Sequence, residues 1–219
     1  MWFFRRHTSL RERGIFRGLT DWHSHILPGV DDGVQTMDDA LSILRGCEEL
    51  GVTEVWLTPH VMEDIPNTTE GLRRRFAELQ AAYTGGLRLH LAAEYMLDNL
   101  FEQRLEAGDL LPLGTEGDHL LVETSYFNPP MGLLQLLQRI RSKGYTPVLA
   151  HPERYMYMQE QNYCDLKHIE TKFQLNLFAL TGLYGKQVQA KAEKMQKHGW
   201  YEYVGTDMHS PDMFRRIML

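Results

Sequence analysis

Cysteine is scarce in this chain. Cys47 and Cys164 are the two in 219 residues, too few and too far apart for a disulfide framework. They read as reduced, partly buried thiols on helices of a cytoplasmic protein. The sixth residue after Cys47 is Thr53 and the sixth after Cys164 is Glu170, so the Cys-x5-Arg loop of cysteine phosphatases is missing. No run approaches the ~20 apolar residues of a membrane span. Positive charge is also short: 23 Lys and Arg stand against 29 Asp and Glu, a formal charge of −6. That balance argues against a nucleic-acid partner, although bound divalent cations would reverse the sign locally. The opening "MWFFRRHTSLRERGIFRG" is basic and aromatic but lacks the apolar stretch of roughly 7–15 residues that a signal peptide needs. We read Trp2, Phe3 and Phe4 as a segment packed on the domain or on an oligomer surface. A membrane-surface anchor aided by Arg5 and Arg6 is the alternative.

What is present is a regular alternation of strand and helix signals from about residue 19 onward. We therefore divide the chain into an N-terminal extension, 1–18, and a single domain, 19–219. "TMDDALSILRGCEELG" carries Thr36 as N-cap, helical apolar spacing at Ala40, Ile43, Leu44 and Cys47, and Gly51 just past its end. "NTTEGLRRRFAELQAAY", "DNLFEQRLEAG", "NPPMGLLQLLQRIRSKG" (Asn cap, prolines in the first turn), "DLKHIETKF" and "GKQVQAKAEKMQKHG" read as further helices. Between them lie "VTEVWLT", "LRLHLAA", "HLLVE", "YTPVLAH", "QLNLFAL" and "WYEYVGT". With the segment ending in "DWHSH", about seven strands alternate with helices, which predicts an α/β fold with a parallel sheet. A doubly wound sheet would tend to show a glycine-rich phosphate loop after its first strand, and "DWHSHILPG" is none. We expect a compact, distorted seven-stranded (β/α) barrel, TIM-like, because ligands from every strand must then meet at one mouth.

Those ligands are the most informative feature. His23 and His25 stand in "DWHSH", and Asp31 and Asp32 in "LPGVDDG". His60 ends "VWLTPH", Glu94 "LHLAAE", Glu123 "HLLVE" and His151 "TPVLAH", while Asp207 and His209 close "VGTDMH". An apolar run that ends in a ligand, repeated along the chain, describes the carboxyl face of a parallel barrel. His-x-His on a strand sends both rings to one side, with Trp22 and Ser24 on the other. In the "DDG" turn at Gly33, Asp32 is our preferred ligand and Asp31 a supporting group. Glu94 and Glu123 are costly to bury unless a cation compensates them, and Glu123, ending the central strand, is our candidate to bridge two ions. The other histidines, His7, His90, His119, His168 and His198, read as structural or solvated. Histidine and carboxylate without cysteine favour Mn²⁺, Fe²⁺ or Zn²⁺ in a catalytic setting over a structural zinc site. Nine ligands exceed the need of two ions at low coordination number, so we expect three divalent metal ions. Arg154, three residues past His151, is placed to hold a phosphate oxygen without taking a ligand position.

At these residues the sequence resembles the PHP (polymerase and histidinol phosphatase) superfamily, and within it the bacterial capsule and exopolysaccharide metal-dependent tyrosine-protein phosphatases. The matching strings are "DWHSHILPGVDDG", "TPH", "AAE", "LLVETS", "VLAHPERY" and "GTDMH", in that order. The resemblance implies a trinuclear, usually manganese-supported site in a distorted barrel. It also implies hydrolysis of phosphotyrosine on the tail of a bacterial tyrosine kinase that controls polysaccharide export. Carried over, the ligands are His23, His25, Asp32, His60, Glu94, Glu123, His151, Asp207 and His209. Arg154 would contact phosphate, with Glu123 and Asp207 the ligands closest to the chemistry. Two alternatives are a small-molecule phosphomonoesterase of histidinol-phosphatase type and a non-catalytic scaffold of the export machinery. A nuclease reading is disfavoured by the charge.

Overall fold

Each strand is short and apolar and each intervening helix carries one apolar face, so neither can bury its surface without the other. The computed structural model describes residues 10–218. The expectations for Trp2, Phe3, Phe4, Arg5, Arg6 and His7 lie outside the described residues. The chain runs β1 (Thr20–Ser24), α1 (Met37–Leu50), β2 (Glu54–Leu57), β3 (His60–Val61), α2 (Thr69–Ala82), β4 (Arg88–Leu91), β5 (Glu94–Met96) and α3 (Asn99–Ala107). It continues through β6 (His119–Glu123), α4 (Leu133–Ser142), β7 (Thr146–Ala150), α5 (Glu160–His168), β8 (Lys172–Asn176), α6 (Lys186–Lys197), β9 (Tyr203–Gly205) and α7 (Pro211–Met218). Short 3-10 helices occupy Pro152–Arg154 and Leu177–Thr181.

All strand pairs are parallel. A three-stranded sheet has the order β1-β2-β4, and a curled six-stranded sheet the order β3-β5-β6-β7-β8-β9. The sheets adjoin beyond their ladders: Asp207 N donates to His23 O at 2.7 Å and His25 N to Met208 O at 2.9 Å. Nine strands thus stand where seven were expected. The segments read as "VWLTPH" and "LHLAAE" each break in two, at Thr58-Pro59 and at Ala92-Ala93. Pro59 has no N–H to continue a ladder, and after each break the chain changes sheet.

Local chemistry sets most boundaries. Thr36 caps α1 by accepting from Asp39 N, and Gly51 ends it at φ 91°. Other boundaries differ from expectation. Pro129 and Pro130 precede α4, which opens at Gly132 with no side-chain cap, so the Asn128 cap is not formed. Helix α5 starts earlier than "DLKHIETKF" suggested, and the "LFAL" half of "QLNLFAL" is 3-10 helix. The unanticipated α7 packs Phe214 so close to Gly46 of α1 that a β-carbon there would overlap its ring.

Two apolar layers result. The outer one joins helices to sheets through Ala40, Ile43, Leu44, Leu72, Leu79, Phe101, Leu137, Ile140 and Phe173, and Leu10 and Phe16 of the extension enter it. The inner one, enclosed by strands, is Trp56, Ala92 and Leu113 with Trp22 and Tyr203, beside Leu121, Val148 and Ala150. Cys47 is buried as expected, whereas Cys164 is exposed.

Candidate metal centre

The nine predicted ligands gather at one end of the parallel strands. His23 lies in β1 and His25 just beyond it; Glu123 ends β6, and His151 follows β7. Asp207 and His209 follow β9, and Asp32 comes from the loop after β1. His60 and Glu94 open β3 and β5 instead of ending a strand, side by side in register. They reach the cluster because the chain breaks immediately before each.

The side chains form four overlapping groups whose ligand atoms lie within 4.8 Å of one another: His25–Asp32–His60–His209, His23–His25–Asp207, His23–Glu94–His151 and His60–Glu94–Glu123. Glu94 is the hub. Its Oε2 stands 3.1 Å from His23 Nε2, 3.2 Å from His25 Nε2 and 3.2 Å from His60 Nδ1, while its Oε1 is 3.1 Å from His151 Nε2. Glu123 meets the cluster through His60 Nδ1 at 3.1 Å and joins one group only. Glu94 thus stands in two of the four groups and Glu123, the expected bridge between two ions, in one. Asp32 stands at the mouth, 67% exposed, with Oδ1 3.6 Å from His60 Nε2 and 3.7 Å from His209 Nε2.

A cation fits this donor set on the evidence of its protons. His23 Nδ1 lies 2.8 Å from the Gln174 amide oxygen and His25 Nδ1 2.8 Å from Asp31 Oδ2. Both partners are acceptors, so each Nδ1 carries the proton and each neutral ring turns a lone pair outward from Nε2. Those Nε2 atoms are 3.1 Å apart and both face Glu94 Oε2. Glu94 Oε2, His60 Nδ1 and His151 Nδ1 are buried without a hydrogen-bond partner. Lone pairs aimed at lone pairs in a buried space require either extra protons or a metal ion. Without metal, protons fill the role: burial opposes charge on His23, yet Glu94 and Asp207 override it and hold the ring at about 9. Burial and the neighbouring His25 push His209 down to about 4. Despite burial, the surrounding histidines keep Glu94 and Asp207 far below the usual carboxylate range.

Supporting residues hold the ligands from behind. Asp31 accepts from Gly33 N through Oδ1 and from His60 N through Oδ2, which also meets His25. A β-carbon at Gly33 would overlap the His25 carbonyl oxygen, so only glycine closes this turn. Among the described residues, His151 and Asp207 are two of three non-glycine residues with positive φ, at 33° and 53°. Such backbone concentrates where a site over-determines it. Strand β8 contributes no ligand but two orienting amides. Gln174 holds His23 and accepts from His151 N at 3.3 Å, while Asn176 Nδ2 donates to Asp207 Oδ2 at 2.8 Å. Arg154 Nη1 donates to the same Oδ2 at 2.8 Å, leaving Oδ1 to face His23, His25 and His209. Its guanidinium sits 4.4 Å from the rings of both Tyr126 and Tyr184.

Sequence reasoning missed Gln174, Asn176, Tyr126 and Tyr184. The first two had a signal, since "QLN" puts two amides at alternate positions of an otherwise apolar strand. The tyrosines lie in loops and had none. Of the remaining histidines, His90 pairs with Glu54 at 3.0 Å and His119 with Asp118 at 2.7 Å, while His198 stacks on Trp200 and His168 is exposed.

Fold and site together define a parallel α/β protein that presents, at one end of its strands, a histidine–carboxylate cluster able to hold metal ions. More narrowly, the chain belongs to the capsular polysaccharide synthesis family CpsB/CapC, whose sequence model matches residues 19–217. It is 29% identical over 199 residues to the tyrosine-protein phosphatase YwqE of Bacillus subtilis, covering 88% of this chain and 78% of that one. It is 26% identical over 214 residues to the tyrosine-protein phosphatase CpsB of Streptococcus agalactiae, covering 89% and 84%. A solved structure from work on YwqE and on CpsB of Streptococcus pneumoniae, described as metal-dependent tyrosine phosphatases, superposes with TM-score 0.82 at 26% identity, over 90% of this chain and 81% of that one. A phosphotriesterase homology protein of Escherichia coli shares the fold, with TM-score 0.52 at 13% identity.

Proposed function

We propose that this protein is a metal-dependent protein-tyrosine phosphatase acting on the phosphotyrosine tail of a bacterial tyrosine kinase in capsule or exopolysaccharide synthesis. The observation that carries the reading is the convergence of the nine predicted ligands into four overlapping groups, with Arg154 paired to Asp207 beside them. Membership of the CpsB/CapC family and the names of its relatives support the substrate. In this reading His23, His25, Asp32, His60, Glu94, Glu123, His151, Asp207 and His209 hold three divalent ions, Mn²⁺ first among candidates. When bound, such ions make hydroxide available near neutral pH and offset charge on phosphoryl oxygens.

The chain's own residues then have distinct tasks. Asp31, Gln174 and Asn176 fix the orientation of His25, His23 and Asp207. Arg154 is held between Tyr126 and Tyr184, 20% exposed. That pose lets a guanidinium edge meet a non-bridging phosphate oxygen while Nη1 stays on Asp207. We assign the phosphatase domain to residues 19–219 and a cytoplasmic location; no helix among the described residues is long and apolar enough to cross a membrane. The two sheets, joined across their strand breaks, read as one distorted seven-stave barrel.

The direct test measures hydrolysis of a phosphotyrosine peptide and of histidinol phosphate by metal-stripped protein reconstituted with Mn²⁺. Phosphotyrosine turnover that returns only with metal is the expected result. Preference for histidinol phosphate would move the protein to the small-molecule class, and inactivity with full metal content would leave a scaffold.

A further inference from the structure

Four large hydrophobic side chains stand exposed among the described residues, Phe127, Met131, Leu134 and Met156, and all lie in the segments that follow the ligands Glu123 and His151. An isolated exposed hydrophobe is ordinary, but a cluster beside a cleft is not. Phe127, Met131 and Leu134 follow Glu123 at the end of β6, and Met156 follows His151 after β7. The two stretches are tied together: Met156 N donates to Tyr126 O at 2.8 Å. The Tyr126 ring in turn lies against Arg154, so the apolar patch begins where the arginine end of the cleft stops. Phe127 and Asn128 donate their N–H groups to Ser125 Oγ, which gives the loop a defined turn. Next to it a cavity of about 320 Å³ is lined by Pro129, Leu133, Leu134 and Tyr157 and also by Asn162 and Asp165.

Charge and size select the occupant. From Thr124 to Gln138 the sequence contains no Asp, Glu, Lys, Arg or His. An anionic lipid surface calls for basic residues beside the apolar ones. A stable second copy calls for roughly 20–30 residues on each side, and this patch offers a handful. A neutral apolar rim continuous with a phosphate-binding cleft suits a short polypeptide flank.

We propose that Phe127, Met131 and Met156 form a docking surface for an apolar side chain adjacent to the phosphotyrosine of a polypeptide substrate. The proposal rests on the tyrosine-phosphatase reading of the cleft. The test uses full-length Mn²⁺-loaded protein and the combined Phe127→Ser, Met131→Ser variant, whose altered side chains are 73% and 101% exposed and carry little of the core. Substrates are p-nitrophenyl phosphate and two phosphotyrosine peptides that differ only in having leucine or serine beside the phosphotyrosine. The wild type should favour the leucine peptide by about tenfold in kcat/KM, mostly through KM. The variant should lose that preference and keep its p-nitrophenyl phosphate turnover. Equal use of both peptides by the wild type, or a preference that survives in the variant, overturns the docking surface while leaving the phosphatase reading intact. A variant that changes from dimer to monomer in sedimentation and keeps the preference assigns the patch to a second copy instead. Failure of the metal-loaded wild type on every substrate removes the phosphatase reading, and the docking surface with it.

Discussion

Two layers of side chains stand four residues apart along the same chain segments. Trp56, His90, His119 and Tyr203 form the lower layer, and His60, Glu94, Glu123 and Asp207 the upper one. Both contain histidine and both are substantially buried, yet their bookkeeping of protons differs. Below, His90 has Glu54 and His119 has Asp118, while Trp56 stacks on His90 at 4.6 Å and on Trp22 at 5.4 Å. Each imidazole has its own carboxylate, and Trp56 Nε1, buried without a partner, is a donor that cannot ligate a cation. Above, three imidazole nitrogens compete for one Glu94 oxygen and buried lone pairs face one another. A histidine cluster therefore identifies a metal centre through the mismatch between ligand atoms and available protons, and the number of histidines alone says little.

The same carboxylate-to-amide change should act very differently in the two layers. Glu94→Gln should lower bound metal and cut turnover by at least ~10²-fold. Glu123→Gln should follow it with a smaller loss, because Glu123 joins one group and Glu94 two. Glu54→Gln should leave metal content unchanged and turnover within about threefold, since the Glu54–His90 pair is partly exposed and Glu54 belongs to none of the four ligand groups. Metal analysis and steady-state rates on the three variants decide the order. Equal losses from Glu54→Gln and Glu94→Gln would erase the distinction between the layers.

Next in size is Arg154→Ala, expected to cost ~10²–10³-fold in turnover, the scale of losing one oxyanion donor. Lysine should restore only part, lacking the planar fork. The sequence alone suggested that the metals would be indifferent to this arginine. The Arg154–Asp207 pair changes that, and weaker metal binding at unchanged stoichiometry should accompany the loss. Isothermal titration with Mn²⁺ tests it, and an unaltered affinity would show that Asn176 alone suffices to orient Asp207.

Gln174→Leu probes the support behind His23. Removing the acceptor frees the His23 proton to move between ring nitrogens, and metal affinity should fall roughly 10–100-fold. Gln174→Glu keeps an acceptor there and should recover part of the loss. A leucine variant that binds Mn²⁺ like the wild type would reduce Gln174 to packing.

The smallest effect is a change of stability with pH. His23 is raised from 6.5 to about 9 in the metal-free fold. A raised histidine contributes fully below its unfolded value and loses that contribution as pH climbs through the folded one. The metal-free protein should therefore lose stability between pH 6.5 and 9. The metal-loaded protein should gain over the same range, because each bound ion displaces protons. Thermal melts of both forms across this range provide the check, and parallel trends would contradict the proton-for-metal exchange.

Much of this was legible in the sequence, for identifiable reasons. Ligands at strand ends were visible because an apolar run that stops at His or Glu is conspicuous against its own hydrophobicity. Thr36 and Gly51 announced α1 because capping is local chemistry. The breaks at Pro59 and Ala92-Ala93 were not readable, since whether a strand continues or changes sheet depends on which neighbour it meets. For the same reason the hub position of Glu94 was hidden: it depends on which ligands the fold gathers around it, which no spacing encodes. The stacking of Tyr126 and Tyr184 on Arg154 is a contact between loops, fixed only by the closed fold.

If the upper layer is built for cations, equilibrium dialysis against Mn²⁺ followed by elemental analysis and a phosphotyrosine assay will show it. The expected result is more than one ion per chain for the wild type, fewer for Glu94→Gln, and complete loss of turnover when a chelator removes the ions. A wild-type protein that hydrolyses phosphotyrosine after its ions are removed, or that binds no Mn²⁺ at neutral pH, would contradict it.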